Sequence, residues 1–351
     1  EADTVSIQAN GAGSLISLSG DFKSVLHGGS STVYLKTVGA GAVVQVHGTT
    51  SVTGGSDSDV LYFLASGTNG HVEPVGSVTF KGGSGDNVMY LSANSTGSKV
   101  VAHSDVTYTG GGGTDALYLQ PIGTSAQTEV MGNLKMTGGE NDNYLYLQAI
   151  GNSSIAKVDG DVSYSGGHEI DSVYLQPIGI GAKSEVGGKL TTQMGDGTNY
   201  EELQTIGSGA IVSVGGGVSY NGGLGDDHFY IHTVGPNSIA TFSGPMDVHL
   251  GNGTNDLRTI TNAATSSIIV TGETTFVGGN GVDDFDLSQG AGNQVKFNSN
   301  LFVSLLGGDD EITIRGLNVL GTATFDGGSG NNALINNGGH TFNIAPTFTG
   351  F

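Results

Sequence analysis

The chain has no cysteine and no tryptophan, six prolines, and only 11 Lys+Arg against 32 Asp+Glu. The missing cysteines exclude a disulfide framework and thiol chemistry, and leave the redox compartment open. The shortage of basic residues, with a formal net charge of -21, argues against nucleic acid as a partner, because phosphate binding needs a basic footprint. It argues equally against an anionic membrane surface. It suits a secreted protein, divalent cations or basic partners. No apolar run approaches the ~18 residues of a membrane span, so no membrane insertion is expected. No signal peptide is visible and the chain begins at Glu1 without methionine, which reads as a mature or excised fragment. No 3.6-residue periodicity stands out anywhere, so helices are not expected.

What the chain has in abundance is glycine, 63 of 351 residues, with 36% apolar residues to build a core. The glycines are periodic. Gly55, Gly83, Gly111, Gly139, Gly167, Gly195, Gly223, Gly251 and Gly279 follow one another at steps of 28 residues, with Gly29 and Gly308 close to the same register. A fixed period in this range marks a solenoid, and an unbroken one argues for a single elongated domain despite the length. Residues 1-27 read as an incomplete first coil and 28-307 as regular repeats. Residues 308-351 read as C-terminal coils, of which His340 to Phe351 lose the register and cap or leave the solenoid.

Each repeat opens with a glycine turn, as in Gly82-Gly83-Ser84-Gly85-Asp86-Asn87, and runs into an alternating apolar stretch such as Met89-Tyr90-Leu91. Leu61/Phe63, Leu117/Leu119, Leu145/Leu147 and Phe229/Ile231 occupy the same alternating places, the pattern of a strand with one buried face. Further short pieces around Val130, Val158, Val186 and Val214, and at Val106/Tyr108, Val162/Tyr164 and Val218/Tyr220, predict a second and a third strand. The fold class is therefore all-β: a single right-handed parallel β-helix of eleven or twelve 28-residue coils, three short strands each, on the order of 55 Å long.

This layout resembles the three-strand β-helix of pectate-lyase-like enzymes, phage tailspikes and bacterial surface adhesins, over nearly the whole chain. The turn from Gly110 to Asp115, Gly-Gly-x-Gly-x-Asp, also resembles RTX calcium-binding repeats, although RTX turns recur every nine residues and these every 28.

Equal repeat positions form columns along a solenoid, and three columns bear on function. The first alternates acid and amide: Asp59, Asn87, Asp115, Asn143, Asp171, Asn199, Asp227, Asn255, Asp283. Stacked carboxylates repel, and an amide between two of them can donate to the acid on either side, so the column predicts an Asx ladder. Oxygen-rich glycine turns also suit Ca2+, with Asp57, Asp59, Asp86, Asp226, Asp227 and Asp283 as candidate ligands in occasional sites. The second column is Tyr34, Tyr62, Tyr90, Tyr118, Tyr146 and Tyr174, flanked by Gln120, Gln148 and Gln176. These side chains alternate with core positions and so point outward, as ladder stabilisers or as a strip that binds a polysaccharide or another protein surface, including a second copy. Beyond Tyr174 the column turns polar, through Glu202, Tyr230, Arg258 and Asp286. There His228, Asp256, Arg258 and Asp284 meet on one face. In pectate-lyase-like enzymes the active site lies on such an outer face, so the resemblance makes these four the candidate catalytic set. Asp256 and Asp284 would be one coil apart, while Glu202 and Asp286 are too far separated for a carboxylate pair. His228 and His232 share a face about 13 Å apart along a strand, too far to chelate one zinc. The regular register leaves no residues for loops that would wall a cleft. The expectation is a non-catalytic, extracellular or cell-surface solenoid with a structural, adhesive or polysaccharide-binding role, with a polysaccharide hydrolase or lyase as the alternative.

Overall fold

A computed structural model describes residues 2–290 and 292–351. All regular structure among them is strand, arranged as three parallel sheets of thirteen strands each in a right-handed solenoid. Each strand pairs with its equivalent one coil away. Tyr62 lies beside Tyr34 and Tyr90, Val106 beside Val78 and Leu134. Residues 1-27, read as an incomplete coil, supply one strand to every sheet: Thr4–Ala9, Leu15–Leu18 and Phe22–Val25. The C-terminal stretch also stays in the stack, with Thr341–Phe342 and Thr347–Thr349 paired to the coil before them. What changes there is the coil length. Partners stand 27 residues apart at Ser267 and Gln294, then 22 apart at Val295 and Leu317. The strands persist while the turns shorten, which is why a fixed 28-residue frame loses them.

The alternating positions behave as the pattern requires. Leu61, Phe63, Met89, Leu91, Leu117 and Leu119 are fully buried, while Tyr62, Tyr90 and Tyr118 between them are partly exposed. Each large core side chain contributes about 1.5–3 kcal/mol. Valines from the second sheet and Val106, Tyr108, Val162 and Tyr164 from the third close the core.

At most corners the repeating glycine is needed for a reason other than bending, although Gly195 (φ 91) and Gly251 (φ 82) of the same series also have positive φ. Gly83 has no left-handed backbone, but a Cβ there would lie 1.4 Å from the carbonyl oxygen of Gly55 in the coil below. The turn is glycine because two backbones touch. A left-handed residue also recurs in the following turn, at Gly41 (φ 63), Asn69 (φ 53), Gly97 (φ 64) and Ser125 (φ 54) in successive coils.

Candidate functional site

The corner that opens each coil holds the acid and amide column, and every member is buried. The asparagines donate in one direction only. Asn87, Asn143, Asn199 and Asn255 each send Nδ2 to the carboxylate of the next coil, at 3.1, 2.9, 2.8 and 2.7 Å to Asp115, Asp171, Asp227 and Asp283. Toward the preceding coil they accept instead. The backbone N–H groups of Asp59, Asp171 and Asp227 donate to Asn87, Asn199 and Asn255 at 3.3, 3.1 and 3.0 Å. The expected donation to both sides is thus replaced by a polar chain with a single sense. Each acid also closes its own turn. The N–H groups of Gly55, Gly111, Gly167, Gly223 and Gly279 donate to Oδ2 of the aspartate four residues on, at 2.7–3.1 Å.

A third donor comes from inside the core. The hydroxyls of Tyr108, Tyr164 and Tyr220 donate to Oδ1 of Asp115, Asp171 and Asp227 at 2.9, 2.9 and 3.3 Å. Across the middle of the stack a double coil of 56 residues therefore recurs, with a tyrosine seven residues before Asp115, Asp171 and Asp227, while Val52 and Phe276 hold that place before Asp59 and Asp283. Sequence reasoning placed these tyrosines with the apolar core and missed the pairing. The spacing of seven, repeated three times, was the available signal.

Burial pushes Asp171 and Asp283 up to about 6 and Asp227 up to about 7, so near neutral pH the corner carries less charge than its formula. The candidate calcium ligands outside the ladder are also engaged. Asp57 accepts from the Gly29 N–H at 2.6 Å, Asp86 from Thr114 N–H at 2.8 Å and Asp226 from Thr254 N–H at 2.8 Å. Among the described residues no group of three or more His, Cys, Asp or Glu is placed to hold a metal ion. Each of these three oxygens faces an N–H donor, which a cation would have to displace.

The outer face of the first sheet carries the tyrosine strip. Tyr34, Tyr62, Tyr90, Tyr118, Tyr146 and Tyr174 stack ring on ring at 4.7–4.9 Å with interplanar angles of 2–9°. The ring faces cover one another, leaving edges and hydroxyls toward solvent. Beside them Gln120 donates to Gln148 at 2.8 Å and Gln148 to Gln176 at 2.7 Å, an amide ladder of the same pitch. Gln176 donates both to Gln204 at 3.3 Å, the next rung of the ladder, and to Glu202 at 2.5 Å. Both columns follow from the parallel register, which puts identical residues one strand spacing apart.

The polar cluster lies two coils further on. Asp256 is its hub. The Tyr230 hydroxyl donates to Oδ2 at 2.7 Å and Arg258 Nε donates to Oδ1 at 2.8 Å. His228 Nδ1 lies 3.0 Å from the Tyr230 hydroxyl and 4.0 Å from Asp256, and its ring stacks on Tyr200 at 4.5 Å. Tyr230 stacks on His232 at 5.2 Å, and the Arg258 guanidinium lies 5.6 Å from the Tyr230 ring centre. Three of the four residues named from the sequence are thus one network, and Asp284 sits beside Asp256 on the next strand. Burial, then the neighbouring Asp256, raises the Asp284 carboxyl. Burial lowers His228 and takes His232 down to about 4, so both imidazoles are neutral near pH 7. Depressions of about 290 Å³ at Lys189, Pro245, Asp247 and Glu273, and of about 200 Å³ at Gln289, Arg315 and Gly338, lie away from this network.

An ionisable side chain, Glu201, stands within the apolar core. Glu201 points inward at a place held by Leu61, Met89, Leu117, Leu145, Val173 and Phe229 in other coils, and it is fully buried. Thr192 Oγ1 donates to Oε2 at 2.6 Å, and Oε1 has no partner. Burial pushes its carboxyl up to about 8.

No protein-family model, curated protein or solved structure matches the chain.

Proposed function

We propose that this protein is a non-catalytic β-solenoid, secreted or displayed at a cell surface, with a structural, adhesive or polysaccharide-binding role. Its working surface is the tyrosine and glutamine face of the first sheet. One observation carries this reading: six coils present an unbroken row of stacked tyrosines, and the outward positions of the first sheet in those six coils carry no acid and one base, Lys36, in a chain of net charge -21. A contiguous aromatic face of that length, free of acids, marks an interaction surface. The test is retention on a panel of acidic and neutral polysaccharides and on protein-coated surfaces. The variant carrying Tyr90→Ser and Tyr118→Ser should lose about tenfold in retention, as for central aromatic contacts, while still melting cooperatively. Unchanged retention of the folded variant would end the reading.

The network of Tyr230, Asp256 and Arg258 favours a second reading, a polysaccharide hydrolase or lyase acting at His228, Asp256, Arg258 and Asp284. Against it, both oxygens of Asp256 already accept hydrogen bonds from neighbouring side chains. Release of reducing or unsaturated sugars from the same panel would establish the enzyme.

Calcium has no structural role in this reading. The melting temperature is expected to be the same in chelator and in millimolar calcium, because the ladder carboxylates and one oxygen each of Asp57, Asp86 and Asp226 already accept N–H donors. A clear rise with calcium would show tight sites that bind the native state.

A further inference from the structure

We propose that the tyrosine face binds a second copy of this chain, in an antiparallel face-to-face dimer centred on Tyr118. This rests on the face being the working surface, and it names the partner.

The first argument is pitch. The rings cover one another, so an approaching molecule meets a row of hydroxyls and ring edges repeating every 4.7–4.9 Å. A partner can satisfy every rung only if it carries groups at the same axial repeat. A second solenoid of this chain does so by construction. The interplanar angles of 2–9° mean that successive coils rotate little, so the face is flat enough for two rows to stay in step.

The second argument is charge. Two copies of a chain with net charge -21 repel almost everywhere. On the outward positions of the first sheet from Thr32 to Gln176 the one charged residue is Lys36. Acids begin at Glu202 and continue through Asp256, Asp284 and Asp286. A parallel pairing would set each of these acids against its own copy. A twofold axis in the interface, along the strand direction through Tyr118, does the opposite. It places Tyr62 across from Tyr174, Tyr90 across from Tyr146, and Tyr34 across from Glu202. Lys36, two residues further along the strand, stands across from the partner's Gln204, and its Nζ, 5.2 Å from the centre of the Tyr34 ring, leans back toward the rung that meets the partner's Glu202. The twofold repeats this ion pair at the other end of the interface.

The part of the overlap between Tyr34 and Glu202 runs over seven coils. Its area is roughly 30 Å by 20 Å, on the order of 600 Å² from each copy. That is somewhat below the ~800 Å² per partner of a standard interface, so a dimer of modest affinity is expected.

Sedimentation equilibrium over a wide concentration range, on the full chain at low and moderate salt, tests this. The wild type should dimerise reversibly. Lys36→Glu and Glu202→Lys should each weaken the dimer by roughly tenfold, because each disrupts two symmetric pairs. The double variant should recover most of the loss. Circular dichroism of each variant separates misfolding from lost association, and Lys36→Gln, on an exposed side, provides a variant with little folding risk. A monomer at every concentration overturns the proposal. So does a dimer indifferent to the charge swap, which would place the contact elsewhere. A monomer whose tyrosine face still retains polysaccharide overturns the dimer alone and leaves the binding face standing.

Discussion

Replacing Glu201 with leucine is expected to stabilise the solenoid at pH 8 and to remove much of the stability lost between pH 5 and pH 8. Glu201 is fully buried among core side chains, with one hydrogen bond from Thr192 and Oε1 unpartnered. Its carboxyl is pushed from the ordinary value of 4.5 up to about 8 by burial. The folded chain therefore keeps a proton that the unfolded chain releases. Stability from this group is complete below about pH 4.5 and declines as pH rises, until the folded carboxyl itself ionises near pH 8. A shift of this size corresponds to a few kcal/mol, on the order of the cost of an unpaired buried charge. Leucine is the commonest residue at the equivalent rungs, all of which are apolar, so the replacement fits the site. Glu201→Gln should flatten the same pH dependence with less gain, because its amide leaves polar atoms unpaired. The slope will not vanish. Asp171, Asp227 and Asp283 are also raised and act in the same direction. His228, His232 and His340 are lowered, so they favour the folded state above the ordinary histidine range and oppose the trend as pH falls. Denaturant midpoints at pH 5, 6, 7 and 8 measure the difference. A leucine variant that keeps the wild-type pH dependence would show that Glu201 is not the titrating group.

Glu201 also marks the limit of what the repeat made legible. The strands, their parallel pairing and the outward tyrosines follow from a period of 28 and an alternation of two, because stacking puts equal positions together. A single exception to a column has no periodic signature, and an acid in an apolar column reads as a divergent coil. The Tyr108, Tyr164 and Tyr220 contacts were hidden for a different reason. They join two strands of one coil boundary, and their period is twice that of the glycines. The end coils were obscured because strand pairing outlasts turn length, as at Val295 and Leu317. The polar cluster was half legible. Register alone brings Asp256 beside His228 and Asp284, but only side-chain geometry shows Arg258 and Tyr230 both bound to Asp256.

The largest loss of stability is expected from Gly111→Ala, and the reason separates two meanings of glycine in this chain. A Cβ at Gly111 would lie 1.4 Å from the carbonyl oxygen of Gly83, a backbone atom that no rotamer change can move aside. The Gly111 backbone is not left-handed, so alanine is conformationally acceptable there and the whole cost is the collision. Relief requires the two coils to separate. That would strain the Gly112 N–H bond to Gly83 at 3.3 Å and the Gly111 N–H bond to Asp115 at 2.7 Å. A loss of about 3 kcal/mol or more is expected, at the upper end for overpacking. Each coil contacts mainly its neighbours, so the damage should be local. Hydrogen exchange should quicken first in the turns from Gly83 to Gly139. Gly41→Ala is the contrasting variant. A Cβ there meets nothing within 4 Å, but its φ is 63°, so the cost is conformational, about 1–2 kcal/mol. Gly41→Asn should cost less, because Asn69 and Asn237 hold the same left-handed place in other coils. Equal losses for Gly111→Ala and Gly41→Ala would mean that backbone contact between coils is not what demands glycine at the corner.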